Sequence, residues 1–133
     1  MLSEKIKKEL IRLSRISTYT FKTDEDQNLV YQSKCGDQIA FQINVKNGKI
    51  RLKYNASGCV VLLASAYTLT RICDNKSEEK MLEVITKTIN KNFEKLEEID
   101  ASLKNFENFI HTNRQDCFML PYKALNESLN TMK

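Results

Sequence analysis

From Gln38 onward, Ile39, Phe41, Ile43 and Val45 alternate with Ala40, Gln42, Asn44 and Lys46. After Asn47-Gly48 the alternation resumes, with Ile50, Leu52 and Tyr54 set against Lys49, Arg51 and Lys53. A period of two on both sides of Asn-Gly predicts a β-hairpin with one buried and one wet face, closed by a tight two-residue turn. Leu29 to Tyr31, just upstream, adds a third strand. At the start of the chain the spacing is helical instead. Leu2, Ile6, Leu10 and Leu13 share one side of a helix predicted over Ser3 to Arg15, with Ser3 as its N-cap.

Beyond Gly58 the pattern turns apolar and then helical. A long helix starts near Cys59 and carries Ala64, Ser65 and Ala66 in its middle, small residues that allow close packing. Asp74-Asn75-Lys76-Ser77 breaks it. Ser77, followed by Glu78 and Glu79, reads as the N-cap of another helix whose apolar face is Met81, Leu82, Val84, Ile85 and Ile89. The stretch from Asn92 to Ile110 keeps enough spaced apolar residues to be helical in pieces, and a final helix runs from about Cys117 to Asn130. The sum is an α+β fold, a small antiparallel sheet of about three strands packed against helices on one face.

With 133 residues, 41% hydrophobic content and no Gly/Pro/Ser-rich linker, residues 1–133 are expected to form one domain with one modest core. The net charge of +4 arises from 21 basic and 17 acidic residues mixed along the chain, which gives no nucleic-acid footprint. A basic surface still suits an acidic protein partner. The first 13 residues interleave Lys5, Lys7, Lys8 and Arg12 with the apolar positions, unlike a secretory signal. No apolar run approaches the roughly 20 residues that span a bilayer, so no membrane role is expected and the cytoplasm is the expected compartment. In that reducing setting four cysteines read as metal ligands, redox groups or core residues rather than disulfides.

In Cys35-Gly36-Asp37, Gly36 lets the chain turn tightly enough for a thiolate and a carboxylate to face one divalent ion. Cys59 falls where the hairpin meets the apolar helix, and the exposed N–H groups and positive dipole end there favour a thiolate. The alternative is a small buried residue at a tight junction. Cys117, in Arg114-Gln115-Asp116-Cys117, has a similar helix-start position with a cation nearby. Cys73 differs. Fourteen residues along one helix separate it from Cys59 by roughly 21 Å, too far to share an ion, so it reads as a core residue. His111 has no second histidine to support a ligand role and leaves hydrolytic triads disfavoured. Three scattered glycines make no phosphate loop, and no Cys-x-x-Cys pair exists for thiol-redox catalysis.

Cys35-Gly36-Asp37, Gly58-Cys59 with Ala64-Ser65-Ala66, and Arg114-x-x-Cys117-x-x-Leu120-x-x-x-Ala124-Leu125 together resemble the U-type iron-sulfur cluster assembly scaffolds. The likeness covers about residues 5 to 130 and implies a SufE/NifU-like fold. Within the family, 58 positions separate Cys59 from Cys117, Asp116 stands where another branch has histidine, and a Leu-Pro-Pro-Val-Lys chaperone-recognition run is absent. The chain therefore looks closest to the SufU branch. Leu62 and Tyr67 depart from it where serines are usual, as does Tyr122 where tryptophan is usual.

The resemblance implies that Cys35, Asp37, Cys59 and Cys117 ligate zinc and that a cysteine desulfurase delivers persulfide sulfur to Cys117 while Arg114 helps engage that partner. It also implies recipient iron-sulfur proteins. At most the chain would be a sulfurtransferase-like partner of the desulfurase. Two alternatives stay open: the same four residues hold a transient iron-sulfur cluster that is built and passed on, or the metal is purely structural in a protein-binding module.

Overall fold

The computed structural model describes residues 3–21, 30–33, 36–90, 99–109 and 114–131, with the side chain of Asn108 left out. Helix α1 spans Glu4–Ser14 and leads to strand β1, Val30–Gln32. Strands β2, Gln38–Lys46, and β3, Lys49–Ser57, form the hairpin. Helices α2, Val60–Cys73, and α3, Glu78–Asn90, follow; a 3-10 segment, Ala101–Phe109, precedes helix α4, Gln115–Thr131. The sheet is antiparallel in the order β1-β2-β3, so the α+β expectation holds.

Local chemistry accounts for these boundaries. Ser3 Oγ accepts the Ile6 N–H at 3.1 Å and so caps α1, a contact worth about 1 kcal/mol in such positions. Ser77 does the same for α3, accepting the Lys80 N–H at 3.2 Å. Asn47 and Gly48 take φ of 54° and 76°, the paired positive values that a type I′ turn needs and that match the twist of the strands. The hairpin continues past Tyr54 to the pair Gln38 and Ser57.

Ile39, Phe41, Ile50, Leu52 and Tyr54 point from one face of the sheet into the core, where they meet Leu62, Ala66 and Leu69 of α2 and Phe118, Tyr122 and Leu125 of α4. Helix α1 packs on α2, and α3 on α4. The hairpin tip extends beyond this cover. Val45 belongs by register to the inner face yet is 63% exposed, while Ala40 on the outer face is buried between Val30 of β1 and Asn55 of β3.

The outer edge of β3 is covered by backbone from two other parts of the chain. Tyr54 donates its N–H to Tyr19 O at 2.9 Å and accepts from Phe21 N at 3.0 Å. Nearer the turn, Ile50 N donates to Lys76 O at 2.8 Å and Ile50 O accepts from Asn75 N at 2.7 Å, with Asp74 Oδ1 accepting Leu52 N at 2.7 Å between them. Pairing of this kind removes an unsatisfied strand edge. Among the described residues no helix is long and apolar enough to cross a membrane.

Candidate metal centre

The open end of the hairpin brings two potential ligands together. Gly36, with φ of +92°, donates its N–H to Ser33 O at 3.2 Å, and Ser33 N donates to Asp37 O at 2.9 Å. This turn delivers Asp37 immediately before β2. Across the hairpin, Ser57 pairs with Gln38, and Gly58 and Cys59 follow directly. Asp37 is buried at 4% exposure. Its Oδ1 accepts the Cys59 N–H at 3.1 Å, and the Cys59 thiol donates to Oδ2 at 3.4 Å.

Gly58 is what permits this contact. A Cβ there would lie 2.7 Å from Asp37 Cγ and 2.9 Å from Leu62 Cδ2, overlapping both side chains. Only a residue without a side chain lets the carboxylate close on the strand-to-helix junction.

Cys59 is the N-cap of α2. Its backbone is extended, and its Sγ accepts the Leu62 N–H at 3.5 Å while its carbonyl accepts from Leu63 N at 3.1 Å. A sulfur at this position faces the helix's unpaired N–H groups and the positive end of its dipole. The expectation of a helix-start cysteine is met at the level of individual atoms.

Helix α4 supplies the third donor. It starts at Gln115, two residues earlier than its sequence pattern indicates, so Cys117 sits in its first turn, buried at 2% exposure. The candidate ligand atoms of Asp37, Cys59 and Cys117 all lie within 4.8 Å of one another. Arg114, exposed just before α4, is held in its charged form above the ordinary arginine value, first by a hydrogen bond to Cys59 and by attraction to that sulfur, with Cys117 adding to both. Cys59 and Arg114 also line an open groove of about 410 Å³ with Leu10, Ile11, Val60 and Phe109.

Two thiols and a carboxyl converging at this spacing fit a borderline-soft divalent ion such as zinc, which accepts sulfur and oxygen donors together. Cys35 and His111, also considered from the sequence, lie outside the described residues. Cys73 is elsewhere. It ends α2 in the core, 1% exposed, and burial pushes its thiol up to about 12, which keeps it protonated and a poor ligand. What sequence spacing did not reveal is the carboxylate clamp on the Cys59 N–H, the steric role of Gly58 and the groove. These arise from chain crossings between residues far apart in sequence; the Gly58-Cys59 dipeptide was the one local sign.

Comparison with known proteins identifies the family and the fold. The family model described as the NifU-like N-terminal domain matches residues 19–132. An uncharacterized protein of Borreliella burgdorferi is 56% identical over 134 residues, covering all of this chain and 95% of that one. Among solved structures, an iron-sulfur cluster assembly scaffold protein for the SUF system from Fervidobacterium islandicum superposes with a TM-score of 0.80 at 21% identity, covering 96% of both chains. A NifU-like protein (N-terminal) from Brucella abortus does so with a TM-score of 0.74 at 15% identity, covering 94% of this chain and 92% of that one. At these identities the structural matches speak for the fold.

Proposed function

The chain belongs to the NifU-like N-terminal domain family of iron-sulfur cluster assembly scaffolds, and from that premise we propose that it is a zinc-holding sulfur acceptor served by a cysteine desulfurase. The observation that carries the reading is the convergence of the Asp37, Cys59 and Cys117 ligand atoms within 4.8 Å. Cys35, two residues before Asp37, completes a four-donor set in this proposal, and residues 1–133 act as one such unit.

When bound, zinc would hold its cysteine ligands as thiolates at neutral pH, and the proton that Cys59 shares with Asp37 would leave. The chain's own residues do the rest. Asp37 fixes Cys59 through its backbone N–H, so one carboxylate both supplies a ligand oxygen and aims a sulfur. A carboxylate is also the weakest donor in a thiolate-rich shell, which makes Asp37 the point at which the shell opens most readily.

Sulfur transfer then needs one nucleophilic thiolate. Cys117 attacks the terminal sulfur of the desulfurase's cysteine persulfide; a new S–S bond forms on Cys117, the old one breaks, and the desulfurase cysteine leaves as a thiolate. Arg114 stands at the rim of the groove beside Cys59, where a cation favours an incoming anionic persulfide. Recipient iron-sulfur proteins would take the sulfur onward.

The test combines composition and transfer. Protein purified under air and under anaerobic conditions is expected to contain one zinc and no visible colour, and to take up radiolabelled sulfur from a desulfurase. Cys117→Ser is expected to abolish that uptake, and uptake at the native level would remove Cys117 from the role. The same soft donors suit a cluster carried as cargo. Iron with sulfide and a visible absorption band would favour that scaffold function instead.

A further inference from the structure

We propose that Ser65 is a positioning residue for the metal centre: it ties the first turn of α4, and with it Cys117, to α2. Its value for the function rests on the metal-centre reading above, while its mechanical role does not.

The two sulfurs of the described site come from different helices. Cys59 caps α2 and Cys117 lies in the first turn of α4. Their separation is therefore set by how α2 and α4 are held together. Ser65, in the middle of α2 and fully buried, donates its hydroxyl to Phe118 O at 2.7 Å. Phe118 is the residue after Cys117. The flanking Ala64 and Ala66, equally buried, let the two helices approach closely enough for so short a side chain to reach across.

Buried helical hydroxyls usually bond within their own helix. Thr68 does so with Ala64 O and Thr88 with Val84 O, both at 2.8 Å. Ser65 instead spans 53 positions of sequence to a different helix. The place it reaches adjoins a gap in α4's own hydrogen-bond ladder. Pro121 lies inside the helix, has no N–H to give to the Cys117 carbonyl one turn earlier, and crowds that carbonyl with its ring. The hydroxyl from α2 acts on the next carbonyl along, just where the helix ladder misses a rung. Beyond it, Phe118 stacks on Phe106 at 4.8 Å and meets Tyr122 at 5.2 Å, which anchors the far side of the same residue. Ser65 thus sets how firmly the otherwise buried Cys117 is held in place and how readily it is drawn out.

Alkylation of the metal-free protein with iodoacetamide, read separately at Cys117 and Cys59 by peptide mass spectrometry, tests the strut. Ser65→Ala is expected to raise the Cys117 rate about five- to tenfold, as loss of one buried hydrogen bond implies, and to leave Cys59 unchanged. Thr88→Ala, which loses a similarly buried hydroxyl bond within α3, is expected to leave both rates at native values. A native Cys117 rate in Ser65→Ala would overturn the proposal, as would an equal acceleration in Thr88→Ala. Cobalt(II) titration adds the link to the site: weaker binding by a similar factor and a shifted thiolate charge-transfer band are expected in Ser65→Ala alone, and an unchanged affinity and spectrum would overturn that link. Failure of the native protein to bind cobalt would count against the metal-centre reading, with the alkylation rates still deciding the strut.

Discussion

The Asp37 carboxylate meets Cys59 twice, accepting its backbone N–H at 3.1 Å through Oδ1 and its thiol at 3.4 Å through Oδ2. The first contact is structural and the second is with the sulfur that would bind metal, so substitutions separate the two. Asp37→Asn keeps an oxygen for the Cys59 N–H but loses the anionic donor. It is expected to weaken zinc binding by about tenfold or more, in chelator competition, while leaving the denaturation midpoint nearly native. Asp37→Ala also orphans a partly buried N–H and is expected to cost about 1–3 kcal/mol in stability besides. Equal stability of the two variants would show that the backbone contact contributes nothing.

Gly58→Ala is expected to be more disruptive than its size suggests. The added methyl would overlap the Asp37 carboxyl group and Leu62, at a φ of +154° that side chains rarely adopt. Overpacking of this kind costs roughly 1–3 kcal/mol, and here the displaced group is a candidate ligand. Urea unfolding and metal content should therefore fall together. A variant that unfolds earlier but retains full metal content would show that Leu62, rather than Asp37, gives way.

Cys73 makes a prediction about alkaline stability. Burial raises its thiol from 9.0 to about 12 in the folded chain, against a smaller downward pull from Lys80 and Lys76. Below pH 9 both states keep the proton. Above it the unfolded chain releases the proton and the folded one does not, so stability falls as pH rises from 9 towards 12, by at most about 1.4 kcal/mol per pH unit for this group. Tyr54, raised by burial from 10.0 to about 12, joins from pH 10. Cys73→Ala should flatten the slope between pH 9 and 10 in denaturant titrations. A slope identical to the native protein would mean that Cys73 ionises as easily folded as unfolded.

The hairpin was legible because two strict alternations flank Asn47-Gly48, whose positive φ values the turn requires. Ser3, Ser77 and the Cys59 junction were legible as caps for the same reason, since helix starts are local events. The α4 start was placed two residues late because neither Arg114 nor Gln115 is a characteristic cap residue. The expected helix from Cys117 to Asn130 does run through Pro121, because its apolar face is periodic on both sides of the proline even though one N–H is missing from the ladder. The strand-like seams at residues 19–21 and 75–76 are made mainly by backbone groups, with single side-chain contacts from Asn55 and Asp74, and so leave no alternating pattern to read. At the site, residue types and spacing named Asp37, Cys59 and Cys117, whereas their mutual hydrogen bonds depend on the fold.

The pairing of Gln38 with Ser57 has a consequence for how faithfully the centre is assembled. Asp37 and Cys59 continue the two strands beyond that pair, so the strands act as a ruler whose zero is the Asn47-Gly48 turn. A slip of one residue would shift one candidate ligand by about 3.3 Å along its neighbour. The same slip would turn Ile50, Leu52 and Tyr54 out of the core, an error the folded state does not tolerate. Hydrophobic selection of the register thereby proofreads the spacing of these two candidate ligands.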